Sequence, residues 1–367
     1  MSFTWRYLAR RVLIAIFLLW LLSVITFALY FTIPDEPAGF LVDVQHATPA
    51  QIADARHKLG VDRPVYVQYG KYVWRLAHGD LGIAWSGISF GPLSDAPSGT
   101  HVRTEVLHAA AVTGSLAVGG LVLMLLLAVP GAMLAASRAG SGLDRGLLTV
   151  SLIGVSLHPI ILGIILQTFV ANRWHIAPPN GYCPLTSKAV VVKIAGAGGT
   201  TGTYGTCGGF VDWSTHLILP WITFALFFVA LYLRMIRVRL LEVLGSEYVR
   251  AARAKGNSEG RVLRKHALPN TYLPTLTMLG MDIGTAVGIA VYVETVYQLP
   301  GLGRLTLSAL GGDVSLDLPT IIGVVLFIGA AIILLNLLVD VVYAFADPTL
   351  RTSGDRGVAR APSGRTV

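Results

Sequence analysis

Six long stretches of this chain carry almost no charge, and they constrain its fold more than any other feature. They run from Val12 to Phe31, Ala109 to Ser137, Gly146 to Asn172, Ser214 to Leu233, Tyr272 to Val293 and Leu318 to Val339, with Asp282 the one acid inside the fifth. At 1.5 Å of rise per residue, each can cross a hydrocarbon core of about 30 Å. Lipid offers no hydrogen bonds to backbone, so spans of this length are expected to be helices. The expected class is therefore an all-α membrane protein with six transmembrane helices. With 54% hydrophobic and 13% charged residues in 367, the chain lacks the polar surface that a soluble fold of this size needs.

The first run follows Arg6, Arg10 and Arg11, as the core of a secretion signal would. Its apolar part is too long for one and no small-residue cleavage site follows, so it reads as a retained helix. With the N-terminus inside and six crossings, most of the 28 Lys and Arg residues fall in inside segments. Many of the others share one long loop, which weighs little in that rule. Both termini are then expected in the cytoplasm. Topology accounts for the net charge of +8, and no nucleic-acid partner is required.

The first outside segment begins near Pro34. TPAQIADARHKLG, from Thr48, has a capping Thr, a Pro at the first helical position and a closing Gly60. RPVYVQYGKYVWRLAHGDLG repeats the pattern from Pro64 to about Gly79. Both read as short helices across the outer surface, followed by a turn-rich loop, GISFGPLSDAPSG, from Gly87. The second outside segment, Ala177 to Trp213, contains AGAGGTTGTYGTCGG without the GKS or GKT of a phosphate-binding loop. It reads as a flexible loop. Cys183 and Cys207 are the chain's two cysteines and both lie in it. A disulfide between them is expected, with two free thiols as the alternative. The third outside segment, Gln298 to Asp317, is glycine-punctuated and too short to span. The polar tail after Leu350 reads as disordered.

Between the fourth and fifth spans stands SEYVRAARAKGNSEGRVLRKHALPN, from Ser246 to Asn270, with Arg250, Arg253, Lys255, Arg261, Arg264 and Lys265. Leu241, Leu244, Tyr248, Ala251 and Ala252 share a helical face. Gly256 stands where a helix would end, Asn257 or Ser258 can cap a second short helix, and Pro269 precedes the fifth span. A basic inside loop lying on anionic lipid would explain the charge. It would not explain the apolar face, the glycine break and the Leu-Pro, which suit a rigid elbow that docks into another protein.

Arg250-Ala251-Ala252, then Gly256, then His266-Ala267-Leu268-Pro269 resembles the EAA loop of bacterial ABC importer permeases. LGVDRPVYVQYGKYVWRLAHGDLG, YVRAARAKG, VETVYQLPGLGRL and NLLVDVVYAFADP, in order, are similar to the dipeptide, oligopeptide and nickel branch of that family. The likeness covers nearly the whole length. Arg250 stands where the family's loop generally opens with an acid, and the loop from Ala177 to Trp213 is an enlargement.

The resemblance implies type I importer architecture: residues 1–33 the N-terminal segment and first span, 34–105 an extracytoplasmic loop, 106–351 the transport core, 352–367 a cytoplasmic tail. Within the core lie the cysteine-bearing loop, 171–213, and the coupling loop, 241–269. Tyr248, Arg250, Ala251, Ala252, Ala254, Lys255, Gly256, His266, Leu268 and Pro269 would meet a cytoplasmic ATPase. ATP and Mg would be bound by two ATP-binding subunits, or two copies of one, with no cofactor in this chain. A second homologous permease would supply half the pathway, an extracytoplasmic binding protein would deliver the solute, and lipid would surround the helices of this inner-membrane subunit. The expected solute is a di- or oligopeptide, with nickel or another small solute as the alternative.

Charges within a span are functional candidates, because exposing one to lipid costs a few kcal/mol. Asp282 would line the pathway and meet a solute's ammonium group, or else pair internally with Gln167 or His158. His158, before Pro159, would contact solute or satisfy a carbonyl freed by a kink. Glu294, at the outer end of the fifth span, is a pathway candidate with a structural role as its plainer reading. Asn336 and Asp340 suit bonding between helices. An intramembrane serine protease would need a base positioned beside Ser156, which the histidines at span ends do not offer. A secondary transporter would leave the elbow idle.

Overall fold

The computed structural model describes residues 2–32, 48–50, 53, 64–84, 100–185, 189–191, 205–311 and 317–346. The long helices are α1 (Ser2–Thr32), α3 (Val102–Ser137), α6 (Phe210–Leu244), α9 (Tyr272–Tyr297) and α11 (Leu318–Ala346). Each contains a stretch long and apolar enough to cross a membrane. Between them lie α2 (Val65–Ala77), α4 (Gly142–Ser156), α5 (Pro159–Leu166), α7 (Glu247–Ala254), α8 (Glu259–Arg261) and α10 (Leu302–Gly311). Among the described residues the architecture is helical apart from one small ladder and an isolated bridge between Ile83 and His101. The helix expected from Thr48 lies mostly outside the described residues, as do the loop from Gly87 and the tail.

The third apolar run is bent: α4 and α5, with a further turn of π-helix at Gln167–Arg173, meet at 101°, and taken together they make the sixth candidate span. Pro159 causes the break. Its missing N–H removes a helical hydrogen bond and its ring disfavours helical backbone at the residue before it. Both Leu157 and His158 are extended there.

The chain forms two compact units. One holds Leu22–Arg237 and Thr285–Ile328. Its centre is tight because small residues let helices approach. A methyl at Gly119 would sit 2.1 Å from the Trp221 ring, and one at Gly120 2.5 Å from Phe224, so α3 and α6 touch along a glycine surface. Ala84, Val102, Val106, Ala109, Leu302 and Val324 form a second buried cluster. The turn between α3 and α4 is held by Asp144. Its carboxylate accepts from Gly140 N–H at 2.8 Å and takes both Arg237 Nε and Nη2 of α6 at 2.6 Å, while Ser141 Oγ accepts from Asp144 N–H. A two-point contact of this kind fixes direction as well as distance.

The loop expected to be wholly irregular carries a short antiparallel ladder, β1 (Ala189–Val191) with β2 (Gly205–Cys207), in which Ala189 pairs with Cys207. The adjacent valines, good strand formers, were masked in the sequence by the glycines around them. Cys183 is buried and disulfide-bonded, with its Sγ 3.7 Å from His216 Nε2.

The other unit holds Met1–Leu21, Val238–Gly284 and Gly329–Val367. Here Asp340 of α11 pairs with Arg11 of α1 at 3.2 Å. A methyl at Gly280 of α9 would meet Val339 at 3.0 Å. This unit contains the elbow.

Candidate functional site

The elbow begins where α6 ends at Leu244. Ser246 takes extended backbone and starts α7, which closes at Lys255. Gly256 follows with φ +79° and donates its N–H to Arg253 O at 2.9 Å. That is the left-handed closing position that glycine reaches without strain. Asn257 Nδ2 donates to Ala252 O at 3.0 Å, satisfying one of the helix's last carbonyls. Ser258 then leads into α8 without a side-chain cap.

The second arm does not stop at Pro269. A π-helical turn at Val262–Ala267 and a 3-10 turn at Leu268–Thr271 carry the chain directly into α9. Proline lacks the donor for an α-helical bond but is tolerated near the start of a new turn, so the ladder changes its spacing instead of breaking.

Val249 and Ala252 of α7 are buried, as are Val262, Leu263 and Ala267 of the second arm. Tyr248, Arg250, Ala251, Ala254, Lys255 and Gly256 are exposed. Tyr248 and Ala251, read in the sequence as part of a docking face, are exposed, while Ala252 of that face is buried together with Val249. Two ties brace the arms. Arg253 reaches both carboxylate oxygens of Glu259, at 2.7 and 3.2 Å, and Leu244 O at 3.3 Å. Tyr248 Oη donates to His266 O at 3.1 Å, and Asn270 Nδ2 donates to Tyr248 Oη and His266 O, both at 2.8 Å. His266 and Leu268 are half-buried, Pro269 exposed. Arg253, Glu259 and Asn270 were not picked out in the sequence, since one sequence cannot show which charges meet.

The span residues divide. Glu294 is fully buried. Oε1 accepts from Thr113 Oγ1 at 2.6 Å; Oε2 accepts from Gly303 N–H at 2.8 Å and Arg304 N–H at 3.3 Å. Thr113 Oγ1 also accepts from Leu302 N–H at 2.9 Å. The first amides of α10 thus end on one carboxylate and its threonine. A methyl at Gly301 would lie 2.2 Å from Glu294 Cδ, so only glycine admits the contact. Glu294 therefore occupies a structural clamp, its plainer reading, and is closed to a passing solute in this conformation. Thr113, in a span read only as apolar, gave no signal.

His158 is exposed, and its ring meets Tyr292 edge-on at 4.8 Å. Its Nδ1 accepts from Ile160 N–H at 3.4 Å, so it caps an amide of α5 and not the freed carbonyl expected from the sequence. Gln167 Nε2 donates to Pro179 O at 3.0 Å and Val296 O at 3.2 Å. Asp282 is half-buried in α9.

The described residues thus hold apolar helices long enough to span a membrane and a braced basic elbow with an exposed face. The chain belongs to the family of binding-protein-dependent transport system inner membrane components: residues 128–352 match that family and residues 4–88 match its N-terminal membrane component. It is 33% identical over 340 residues to the dipeptide transport system permease protein DppB of Escherichia coli (strain K12), covering 90% of this chain and 94% of that protein. The di/tripeptide transport system permease protein DppB of Pseudomonas aeruginosa (strain UCBPP-PA14) is 33% identical over 348 residues, with 94% and 98% covered. The dipeptide transport system permease protein DppB of Alkalihalophilus pseudofirmus is 31% identical over 356 residues, with 94% and 99% covered. The chain is accordingly a multi-pass permease subunit of an ABC import system that works with a substrate-binding protein and ATPases.

Proposed function

We propose that this chain forms half of the pathway of an ATP-driven peptide importer, with a second homologous permease as the other half. Both termini face the cytoplasm. Two ATP-binding subunits, or two copies of one, hold the ATP and Mg, and the chain itself carries no cofactor. The observation that supports coupling most is the exposed face of α7, Tyr248, Arg250, Ala251, Ala254 and Lys255, set on a bend that Arg253 and Asn270 brace from either side. A helix held this way passes on a push as a unit. Closure of the ATPases would displace the elbow and the helices leading from it, α6 and α9. ATP biases the change only through contacts that differ between the two states. Peptide as the solute rests on the relatives' names, and Asp282 is the residue assigned to meet a peptide's ammonium group.

The test is uptake by the assembled complex in phospholipid vesicles, with its binding protein outside and ATP inside. Saturable, ATP-dependent accumulation of a radiolabelled dipeptide is the expected result. Accumulation of nickel with no peptide uptake would replace the peptide reading by the metal one. Uptake of either without ATP would overturn the ABC coupling itself.

A further inference from the structure

The helix α2 has more apolar surface than the protein covers. At helical spacing Val65, Tyr69, Tyr72 and Leu76 form one stripe, and Tyr66, Gly70, Val73 and Trp74 form the adjoining one. Gln68, Lys71 and Arg75 take the remaining arc. The two tyrosines of the first stripe face α1. Tyr69 Oη bonds Ser23 Oγ and Tyr72 Oη bonds Thr26 Oγ1, each at 3.0 Å, and both rings pack on Phe27. The second stripe is bare among the described residues: Tyr66 is 77% exposed and Trp74 69%, and a methyl at Gly70 would meet nothing within 4 Å.

Where α2 is fastened decides what covers that stripe. Ser23 and Thr26 lie within the apolar span Leu8–Leu29, near its C-terminal end. Around them Ile25 and Leu29 of α1 are open to the surroundings, at 48% and 44%. The bare stripe of α2 thus belongs to a helix bonded to an apolar span whose own side chains are exposed near that end. At 13 residues α2 is too short to cross a bilayer. Its tyrosine and tryptophan beside lysine and arginine are the residues that settle where acyl chains meet headgroups, the rings in the apolar layer and the cations reaching water.

We propose that α2 is an interfacial helix whose Tyr66, Val73 and Trp74 rest on phospholipid at the headgroup–acyl boundary. One arc of the helix is bonded to α1 and the next to the bilayer, so α2 holds that end of the first span at a fixed depth.

Spin labels decide it. Tyr66→Cys, Val73→Cys, Trp74→Cys and Lys71→Cys are made one at a time, labelled in the assembled complex in phospholipid vesicles and compared with the labelled parent chain. Collision with oxygen, which concentrates in lipid, is read against collision with a water-soluble nickel chelate. The expected result is oxygen exceeding chelate at 66, 73 and 74, with the order reversed at 71. Chelate access at 66 and 74 equal to that at 71 puts the stripe in water and overturns the proposal. Exclusion of both reagents there means that protein covers it, which overturns it equally. Three positions on the stripe keep the test decisive if one variant assembles poorly.

Discussion

The bend at Gly256 and the clamp at Glu294 both join helices at an angle, and they do so with opposite materials. At the bend the brace is an exposed ion pair, Arg253 with Glu259, laid over a glycine in left-handed backbone. At the clamp a fully buried carboxylate accepts three hydrogen bonds, and a glycine is pressed against it. Exposed pairs contribute about 0.2–1 kcal/mol and are screened by salt. A buried acceptor whose removal leaves donors unpaired costs several times that. The difference teaches which joint can yield: the elbow can change its contacts cheaply, and α10 is set on the end of α9 to stay.

The largest expected effect breaks the clamp. Glu294→Ala leaves Gly303 and Arg304 amides and the Thr113 hydroxyl without their acceptor, and should cost about 3 kcal/mol or more. Thermal unfolding of the purified complex reads it, and an unchanged Tm would remove the contrast between the joints. Glu294→Gln keeps one accepting oxygen and should fall between.

Gly256→Pro tests the other side. Proline cannot take φ +79° and removes the N–H that reaches Arg253 O. Transport and substrate-stimulated ATP hydrolysis should fall together while the complex still inserts. Normal stimulated hydrolysis in vesicles would show that the bend is not the coupling hinge.

Asp282→Asn sharpens the comparison within one helix, since α9 carries both acids. Uptake of a Lys-containing peptide should drop more than that of a matched Glu-containing one, with assembly intact. An equal loss for both would make Asp282 another structural acid like Glu294.

The smallest effects are expected on exposed pairs. Arg253→Ala should cost about 0.5 kcal/mol at low salt and less in 1 M salt. Arg75 beside Asp80 is a further pair of this kind: its hydrogen bond holds the Asp80 carboxyl below the usual carboxylate range. That contribution is present above the unfolded value of about 3.9 and is lost as pH falls through the lower folded value. A difference between Arg75→Ala and the parent that persists unchanged well below pH 3 would contradict it.

Much of this was legible in the sequence because lipid enforces it. The apolar runs, Pro64 before α2 and Gly256 after α7 each have one cheap structural solution. Where several existed, pattern was insufficient. The break at Pro159 was read as a kink, because proline alone does not say whether the neighbours will also extend. The apolar face read for the elbow held Tyr248, which is exposed and whose hydroxyl bonds His266 O, and it left out Val249, which is buried. Thr113 and Asp144 gain their roles from partners on α9, α10 and α6, at separations that periodicity does not register.

The disulfide at Cys183 also carries information about time. The chain's other cysteine, Cys207, is translated later, and α6 follows it. Such bonds persist in oxidising compartments, so under the proposed orientation, which puts this loop outside, closure waits until the segment has crossed the bilayer. Maturation of this subunit then has two stages under separate control, insertion by the apolar helices and sealing by the redox chemistry of the far side. A cell short of oxidant would accumulate permease that is inserted and still unsealed.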